Sequence, residues 1–475
     1  MDNFELVCGL EVHVELSTKS KIFCGCKTDF GGEPNTHVCP VCSGMPGTLP
    51  VFNKAVADRA IRTGLALNCD ITQYNKFDRK NYFYPDLPKA YQISQLYLPI
   101  CRNGSLEIEV DGVKKSIGIH EIHMEEDAGK LNHDPWDDVT LVDYNRCGVP
   151  LLEIVSEPDF RSSAEVIAYL EKVREMLMFL GVSDCKMQEG SMRADVNVSV
   201  RRPGEEFGTR TEMKNMNSLK AISRAVDFEA KRQAELISKG GVVVQETRRW
   251  DANKDASFAM RSKENAQDYR YFPDPDLLPL EISDEWIKEI ADTQPELPSA
   301  KRERYVGVFG LPEYDAAELT TSREIAALFE ETVALSNHPK DIANLIMTTV
   351  MALMSEHSVL PENLTLKPEK LAAIVDLVAD GKINKNVAKD VLAEVFVNNV
   401  DPNEYVKEKG LIMVDDSALI LEVVKKVIAA NPQSIEDFKA GKDRAFGFLI
   451  GQCMKELKGK ANPATVNKLM KENLG

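Results

Sequence analysis

Strict alternation of apolar and polar residues near the amino terminus constrains the fold of this chain more than any other feature. Every second residue over 6–16 is apolar: Leu6, Cys8, Leu10, Val12, Val14 and Leu16. Successive side chains of a strand point to opposite faces, so this period of two predicts a strand with one face on a core. The other face then presents Glu11, His13 and Glu15 in a row, about 6.6 Å apart from one to the next. For one strand alone, a solvated face would give the same pattern.

The same alternation, with charged residues on the polar face, recurs around 117–127, 151–157, 193–201 and 210–214. The charged groups of these segments are Glu125, Glu126 and Asp127, three consecutive acids that close the first segment; Glu153 and Glu157; Arg193, Asp195 and Arg201; and Arg210, Glu212 and Lys214. So many carboxylates on one sheet face are unfavourable unless another charge compensates them. Because Mg²⁺ binds a few carboxylates together with water and nucleotide phosphates, the sequence predicts a metal–nucleotide site across an antiparallel sheet. The chain has no G-x-x-x-x-G-K-[ST] motif and no G-x-G-x-x-G after a strand, which excludes the P-loop and Rossmann types of nucleotide site.

Four of the ten cysteines form a cluster. Cys24 and Cys26 are followed, after twelve residues, by Cys39 and Cys42. Two close pairs joined by a loop are typical of tetrahedral Zn²⁺ ligation, and a site with four thiolates is closed and therefore structural. His37 is a possible further ligand, although a plain loop residue fits its position better. The six scattered cysteines are expected to be small core residues.

The pattern along the 475 residues changes near residue 290. Alternating segments come first, a proline-punctuated stretch follows, and apolar residues then recur with helical period. We expect an α+β body over residues 1–293, an all-α domain over 294–400 and a helical tail over 401–475. The chain has no apolar run of about 18 residues and no signal-like start, so we expect a cytoplasmic protein without a membrane partner.

Charge is distributed unevenly. The net charge of −17 argues against a dedicated nucleic-acid binder. Residues 439–475 nevertheless carry eight Lys and Arg against three acids, a local net charge of +5. The basic residues are Lys439, Lys442, Arg444, Lys455, Lys458, Lys460, Lys468 and Lys471. This local positive charge sets the tail apart from the acidic remainder of the chain, although a solvated lysine-rich helix end would show the same composition.

Seven longer motifs resemble one known family. They are Gly9–Leu16, Arg79–Asp86, Lys89–Gln95, His123–Lys130, Asp143–Arg146, Pro150–Asp159 and Asp268–Asp276. In these motifs, which occur in order along essentially the whole chain, the sequence resembles the B subunits of aspartyl/glutamyl-tRNA amidotransferases (GatB, of the GatCAB complex). The archaeal relative, the E subunit, carries a synthetase-like insertion for which this chain has no room.

The resemblance implies a fold and an activity. It implies a glutamine synthetase/guanido kinase-like catalytic body, a helical domain and a YqeY-like tail that contacts tRNA. It also implies ATP- and Mg²⁺-dependent phosphorylation of the side-chain carboxylate of Glu on tRNA(Gln) or Asp on tRNA(Asn). Ammonia from the amidase, which is the A subunit, then gives the amide, in a heterotrimer that includes the small C subunit.

Particular residues follow from the resemblance. The residues that match the family's metal and ATP region are Glu11, His13, Glu125 and Glu153. Glu126 is the alternative to Glu125, because the motif alone does not show which acid of this adjacent pair points inward. His13, Glu125 and Glu153 are the expected Mg²⁺ ligands. The candidate cofactor-binding residues are Lys80, Lys89, Asp195, Arg193 and Glu212, of which the first three match polar positions along the family's ammonia path. The resemblance supports zinc at the four cysteines without placing it in the catalytic step.

Two other classes of protein remain open on the sequence. One is a tRNA-binding scaffold whose chemistry lies in another polypeptide, although unneutralised carboxylates repel phosphate. The other is a free-standing ATP-dependent ligase. The chain has no Ser-Ser-Lys amidase pattern and no amino-terminal nucleophilic cysteine, so glutamine hydrolysis requires a partner. The sequence does not distinguish Glu-tRNA(Gln) from Asp-tRNA(Asn) as the substrate.

Overall fold

The change in sequence pattern corresponds to a change in architecture. The computed structural model describes residues 3–134, 136–262, 269–413, 417–439, 443–457, 461 and 463–474. Contacts between Cα atoms divide the chain into two units, residues 1–297 and 298–475. The first unit is built around a large sheet and the second is helical among its described residues, which confirms the predicted order of a mixed body followed by helices.

The first unit contains sixteen strands and four helices among the described residues. The strands are β1 (Glu5–Glu15), β2 (Asp70–Ile71), β3 (Tyr74–Asn75), β4 (Asp78–Asn81), β5 (Tyr91–Ser94), β6 (Cys101–Val110), β7 (Val113–Glu126), β8 (Lys130–His133), β9 (Thr140–Asp143), β10 (Pro150–Ser156), β11 (Met192–Arg201), β12 (Thr211–Lys214), β13 (Glu246–Asp251), β14 (Ala256–Ser262), β15 (Phe272–Pro273) and β16 (Leu280–Glu281). The helices are α1 (Lys54–Ala66), α2 (Ser163–Phe179), α3 (Leu219–Ser238) and α4 (Asp284–Asp292).

Nine of these strands form one sheet, in the order β14-β13-β12-β11-β1-β10-β7-β6-β2. Neighbouring strands are antiparallel except for β12 and β13, which are parallel. The prediction of an antiparallel sheet is therefore wrong at this one pair. The reason is that α3 lies between the two strands in sequence, and a crossover helix is the usual connection between parallel neighbours.

The apolar face of the sheet is covered by helices. Alternate residues of β1 are buried as predicted, from Leu6 at 5% exposed to Val14 at 0%. Helices α2 and α3 pack against β6 and β11 on this side and share its apolar core. Ser162 caps α2 by accepting a hydrogen bond from the backbone N–H of Glu165, and Gly181 follows the helix with φ of +66°, a conformation that glycine adopts readily. The opposite face of the sheet is left for polar side chains.

The second unit contains twelve α-helices among its described residues. They are α5 (Pro298–Gly307), α6 (Glu313–Leu319), α7 (Arg323–Leu335), α8 (Pro339–Leu345), α9 (Met351–Glu356), α10 (Pro368–Ala379), α11 (Lys385–Asn398), α12 (Pro402–Glu408), α13 (Ser417–Ala430), α14 (Pro432–Lys439), α15 (Asp443–Glu456) and α16 (Pro463–Leu474). A π-helical turn, Ile346–Val350, joins α8 to α9, and a 3₁₀ turn covers Pro361–Asn363.

These helices enclose two apolar clusters. One extends from Tyr305 to Val406, and the other from Ile420 to Leu474 within α13–α16. Val406 on α12 is buried in the first cluster. Helix α12 therefore belongs to that cluster, although it follows the sequence break near residue 400.

Within the basic tail, Lys442, Lys458 and Lys460 lie outside the described residues, as does the side chain of Lys439. No helix in the described part of the chain is long and apolar enough to cross a membrane.

Candidate active site

A row of polar side chains crosses four neighbouring strands on the uncovered face of the large sheet. Arg193 of β11 lies opposite His13 of β1, His13 lies opposite Glu153 of β10, and Glu153 lies opposite His123 of β7. In the next row, Glu11 lies opposite Asp195. Strands in a sheet are about 4.8 Å apart, so this register brings residues from distant segments into contact.

The first acid cluster combines His13, Glu125 and Glu153. One ligand atom from each lies within 4.8 Å of the others, and His13 Nε2 is 3.8 Å from Glu153 Oε1. Burial, followed by the charge of Glu153, raises the pKa of Glu125 above its ordinary value. Gln92 Nε2 donates a hydrogen bond to Glu125 Oε2 at 3.2 Å, and Ser94 Oγ donates one to Oε1 at 2.5 Å. A divalent cation suits this donor set, because it would relieve the repulsion between the two carboxylates.

The second acid cluster combines Glu11, Asp195 and Glu212, again with ligand atoms within 4.8 Å of one another. Lys214 Nζ lies 2.5 Å from Asp195 Oδ2 and 3.3 Å from Glu212 Oε1. Burial alone would lower the pKa of Lys214, but these two acids hold it above its ordinary value. Thr247 Oγ1 donates a hydrogen bond to Glu212 Oε2 at 2.8 Å, which fixes the orientation of that carboxylate.

Both clusters line a single cavity of about 470 Å³. Pockets of roughly 300–1,000 Å³ are typical of small-molecule and cofactor sites. The cavity is also lined by Lys80 of β4 and by Tyr269 and Tyr271, which follow the 263–268 segment. Asp268, the first residue of the quoted 268–276 motif, lies outside the described residues.

Lys80 places a half-buried positive charge in this cavity. Its Nζ lies 5.0 Å from the ring centroid of Tyr269 and 5.9 Å from that of Tyr82, close enough for cation–π interactions. Burial lowers the pKa of Lys80, but Tyr271 and Glu125 outweigh it, so the pKa lies above its ordinary value and the amine is charged. No carboxylate in the described part of the chain is within ion-pair distance of its ammonium group.

His123 and Glu121 also line the cavity, and neither was assigned a role from the sequence. His123 Nε2 is 2.9 Å from Glu121 Oε1, and His123 Nδ1 is 3.9 Å from Glu153 Oε2. Burial lowers the pKa of His123, but the hydrogen bond to Glu121 and the charge of Glu153 raise it above its ordinary value. A signal was available, because Glu121, His123 and Glu125 alternate with two apolar residues on β7.

Glu125 and Glu126 point in opposite directions, as neighbours on a strand must. Glu125 faces the 470 Å³ cavity, whereas Glu126 pairs with Lys89 beside a separate cavity of about 220 Å³. The structure therefore does not bring Glu126 and Lys89 into the site with the other acids.

Arg193 also lies outside this cavity. Its guanidinium donates a hydrogen bond to Asp127 Oδ2 at 2.8 Å and lines a third cavity of about 430 Å³ together with Glu15. Burial, followed by the charge of Asp127, raises the pKa of Glu15 to about 8. Of the candidate cofactor-binding residues, the structure brings only Lys80, Asp195 and Glu212 together with the acid clusters.

The four cysteines converge as predicted from their spacing. Their sulfur atoms lie within 4.8 Å of one another, and Cys39 Sγ is 3.9 Å from Cys42 Sγ. Tetrahedral ligation with Zn–S bonds of about 2.3 Å requires sulfur atoms about 3.8 Å apart, so the geometry fits zinc. A hydrogen bond from Cys24 and the charge of Lys21 help to lower the pKa of Cys42 to about 4, despite burial. His37 is not part of the cluster; its carbonyl oxygen accepts a hydrogen bond from Lys21 Nζ at 2.7 Å.

Cys39→Ser should remove zinc and destabilise the first unit. We expect the unfolding temperature to fall by about 5 °C or more, because losing a metal site is among the most destabilising changes and each kcal/mol shifts the midpoint by about 2–4 °C in a domain of this size. Metal analysis and thermal unfolding would measure both effects. Cys185→Ser, at a buried cysteine outside the cluster, should keep its zinc. An absence of zinc from wild-type protein purified under reducing conditions without chelator would contradict the assignment.

The fold and these sites define a class of protein: one that can hold divalent cations on the polar face of a large, mostly antiparallel sheet. Comparison with known proteins is more specific. Residues 6–288 match the GatB/GatE catalytic domain, and residues 327–474 match the GatB domain. The chain belongs to the GatB family of tRNA-dependent amidotransferase subunits.

Full-length relatives agree with this assignment. The chain is 64% identical to the B subunit of the aspartyl/glutamyl-tRNA(Asn/Gln) amidotransferase of Lachnoclostridium phytofermentans, over 100% of this chain and 99% of the relative. It is 59% identical to the protein of the same name from Agathobacter rectalis, over 100% of both chains. Identity to that of Caldicellulosiruptor saccharolyticus is 58%, over 99% of both chains.

Proposed function

We propose that this chain phosphorylates the side-chain carboxylate of Glu-tRNA(Gln), Asp-tRNA(Asn) or both, and then amidates it with ammonia from a partner amidase. The observation that carries the proposal is the single 470 Å³ cavity, in which two acid clusters and the half-buried Lys80 meet. Phosphoryl transfer depends mainly on positioning and charge neutralisation, and these groups provide both.

The reaction has two steps. A carboxylate oxygen of the misacylated amino acid attacks the γ-phosphorus of ATP, ADP leaves, and an acyl phosphate remains. Ammonia then attacks the acyl carbon, inorganic phosphate leaves with the C–O electron pair, and the nitrogen loses a proton to give the amide. Activation is needed because a carboxylate is a poor acyl donor.

Each cluster has a distinct proposed role. His13, Glu125 and Glu153 would hold one Mg²⁺, and Glu11, Asp195 and Glu212 a second. When bound, Mg²⁺ neutralises the charge on the phosphate oxygens. Within the chain, Thr247 and Lys214 orient the second set of acids. The ammonium of Lys80 faces the negative charge of the transferred phosphoryl group, since no carboxylate in the described part of the chain pairs with it.

The partners follow from the chemistry. The sequence contains no amidase nucleophile pattern, so ammonia has to come from another polypeptide; we propose the amidase (the A subunit), assembled with the small C subunit in a heterotrimer. The glutamine synthetase/guanido kinase-like character of the body and the YqeY-like character of the tail belong to the same proposal. A cytoplasmic location follows from the tRNA substrate. A tRNA contact through residues 439–475 stays a prediction from their charge and from the family resemblance.

The decisive assay is ATP hydrolysis that depends on misacylated tRNA. We expect the chain, assembled with the A and C subunits, to hydrolyse ATP only when Glu-tRNA(Gln) or Asp-tRNA(Asn) is added, and to convert the attached amino acid to its amide. Testing both tRNAs identifies the substrate, and the chain alone shows whether activation needs the partners. A complex that binds tRNA and hydrolyses glutamine but never forms an acyl phosphate would identify the chain as a scaffold.

A further inference from the structure

The loop that carries the four cysteines, residues 24–47, is called the metal loop here. It packs directly against Lys89. Gly44, two residues after Cys42, has φ of +68°. A Cβ atom at this position would lie 2.6 Å from Lys89 Cγ and 3.3 Å from its backbone N and Cα. Only glycine fits this contact without displacing Lys89, so the position of the loop and the position of Lys89 depend on each other.

A second contact joins the same groups at Gly148. A Cβ atom there would lie 3.6 Å from both Cys42 Cβ and Lys21 Cδ, and 3.9 Å from Glu126 Oε2. Lys21 is fully buried, with Nζ 3.6 Å from Cys42 Sγ. Its positive charge compensates part of the negative charge that four thiolates bring to a Zn²⁺ site. The metal loop therefore contacts Lys89 through Gly44, and Gly148 lies between Cys42 of that loop and Glu126, the partner of Lys89.

Strand β5 connects this ion pair to the active-site cavity. The backbone N–H of Ile93 donates to Glu126 Oε1 at 2.9 Å. Gln92 Nε2 donates to the carbonyl oxygen of Glu126 at 2.8 Å and also to Glu125 Oε2. With Ser94, which also donates to Glu125, three consecutive residues of β5 hold two acids that face opposite cavities.

We propose that the four-cysteine metal site is a positioning device for Glu125. Gly44 of the metal loop contacts Lys89, and Lys89 pairs with Glu126. Strand β5 then binds both Glu126 and the carboxylate of Glu125, which faces the cavity. This inference rests on the proposed function, since it takes Glu125 to be a ligand of a divalent cation. Zinc then takes no part in the reaction itself. It fixes the geometry of the divalent-cation site that includes Glu125, as outer-shell contacts do in metalloproteins.

Two glycines of the same loop provide a matched test. Gly44→Ala and Gly47→Ala both place an alanine at positive φ, +68° and +84° respectively, but a Cβ atom at position 47 meets no atom within 4 Å. The full-length, zinc-loaded chain would be titrated with Mn²⁺, with the free ion followed by electron paramagnetic resonance. Glu125→Gln identifies which Mn²⁺ site is the relevant one. We expect Gly44→Ala to keep its zinc and to weaken that site about 10-fold, the scale of outer-shell changes, and Gly47→Ala to bind like wild type.

Lys89→Met tests the same route without altering the loop. Loss of a nearby positive charge would by itself tighten cation binding, so weaker Mn²⁺ binding in this variant would support positioning. Wild-type Mn²⁺ affinity in Gly44→Ala, or tighter binding in Lys89→Met, would overturn the inference while leaving the proposed function intact. If wild-type protein bound no Mn²⁺ through Glu125, the proposed metal site itself would be refuted, and the inference with it.

Discussion

Glu125→Gln should reduce misacylated-tRNA-dependent ATP hydrolysis by about 10²-fold or more, the scale observed when a transition-state electrostatic group is lost. The substitution removes a charge with little change of shape, and the side chain sits at the centre of the first acid cluster. Glu153→Gln, at the next strand of the same cluster, should have an effect of the same order. Initial rates would be measured in the complex with the A and C subunits.

The appropriate control is Glu107→Gln, the same substitution on β6 of the same sheet. Glu107 is exposed and pairs with Lys114, away from the cavity, so ATP hydrolysis should be unchanged. Glutamine hydrolysis without tRNA should be unaffected in all three variants, because it belongs to the partner amidase. Near-wild-type ATP turnover in both cluster variants would mean that these acids are only a solvated sheet face.

Lys80→Met should lower the turnover number for ATP hydrolysis by about 10²–10³-fold, because it removes a cation that lines the cavity at the proposed phosphoryl position. The effect on binding should depend on the γ-phosphate: affinity for ATP should fall, whereas affinity for ADP should change little. Equilibrium binding of both nucleotides would complement the rate measurement.

Lys76→Met provides a matched control for this second variant. Lys76 also lies over a tyrosine ring, 5.3 Å from the centroid of Tyr97, but it is near Asp78 and does not line the cavity. The Lys76→Met variant should therefore bind both ATP and ADP with wild-type affinity. Equal losses of ATP and ADP affinity in Lys80→Met would place the lysine at another part of the nucleotide and contradict a role at the γ-phosphate.

Local alternation was enough to predict which face of β1 and β11 is buried, and hence that Glu11, His13 and Asp195 share the opposite face. The choice between Glu125 and Glu126 required the alternation of the whole strand, because Glu125 shares a face with Glu121 and His123 whereas Glu126 shares one with Ile122 and Met124. The positions of Lys89 and Arg193 depend on contacts with the cysteine loop and with Asp127, which are distant in sequence. Motif order along the chain carries no information about such contacts.

The parallel pairing of β12 with β13 escaped prediction for a related reason. Strand direction is set by the path of the connecting chain, and the local sequence of α3 does not indicate that this helix crosses back over the sheet. The cysteine site was predictable because its ligands are close in sequence and their spacing reflects the chemistry of zinc. Each acid cluster draws its ligands from three separate strands, and the two clusters together from five, so only the sheet register assembles them.

That register also determines which insertions and deletions the gene can tolerate. Arg193, His13, Glu153 and His123 stand in one row across four strands whose other faces form the apolar core. A single-residue deletion within β1 would turn Glu11 and His13 toward the helices and Leu10 and Val12 toward water. Such a chain would lose solubility together with activity, so quality-control proteases would remove it before an inactive copy could compete for partners.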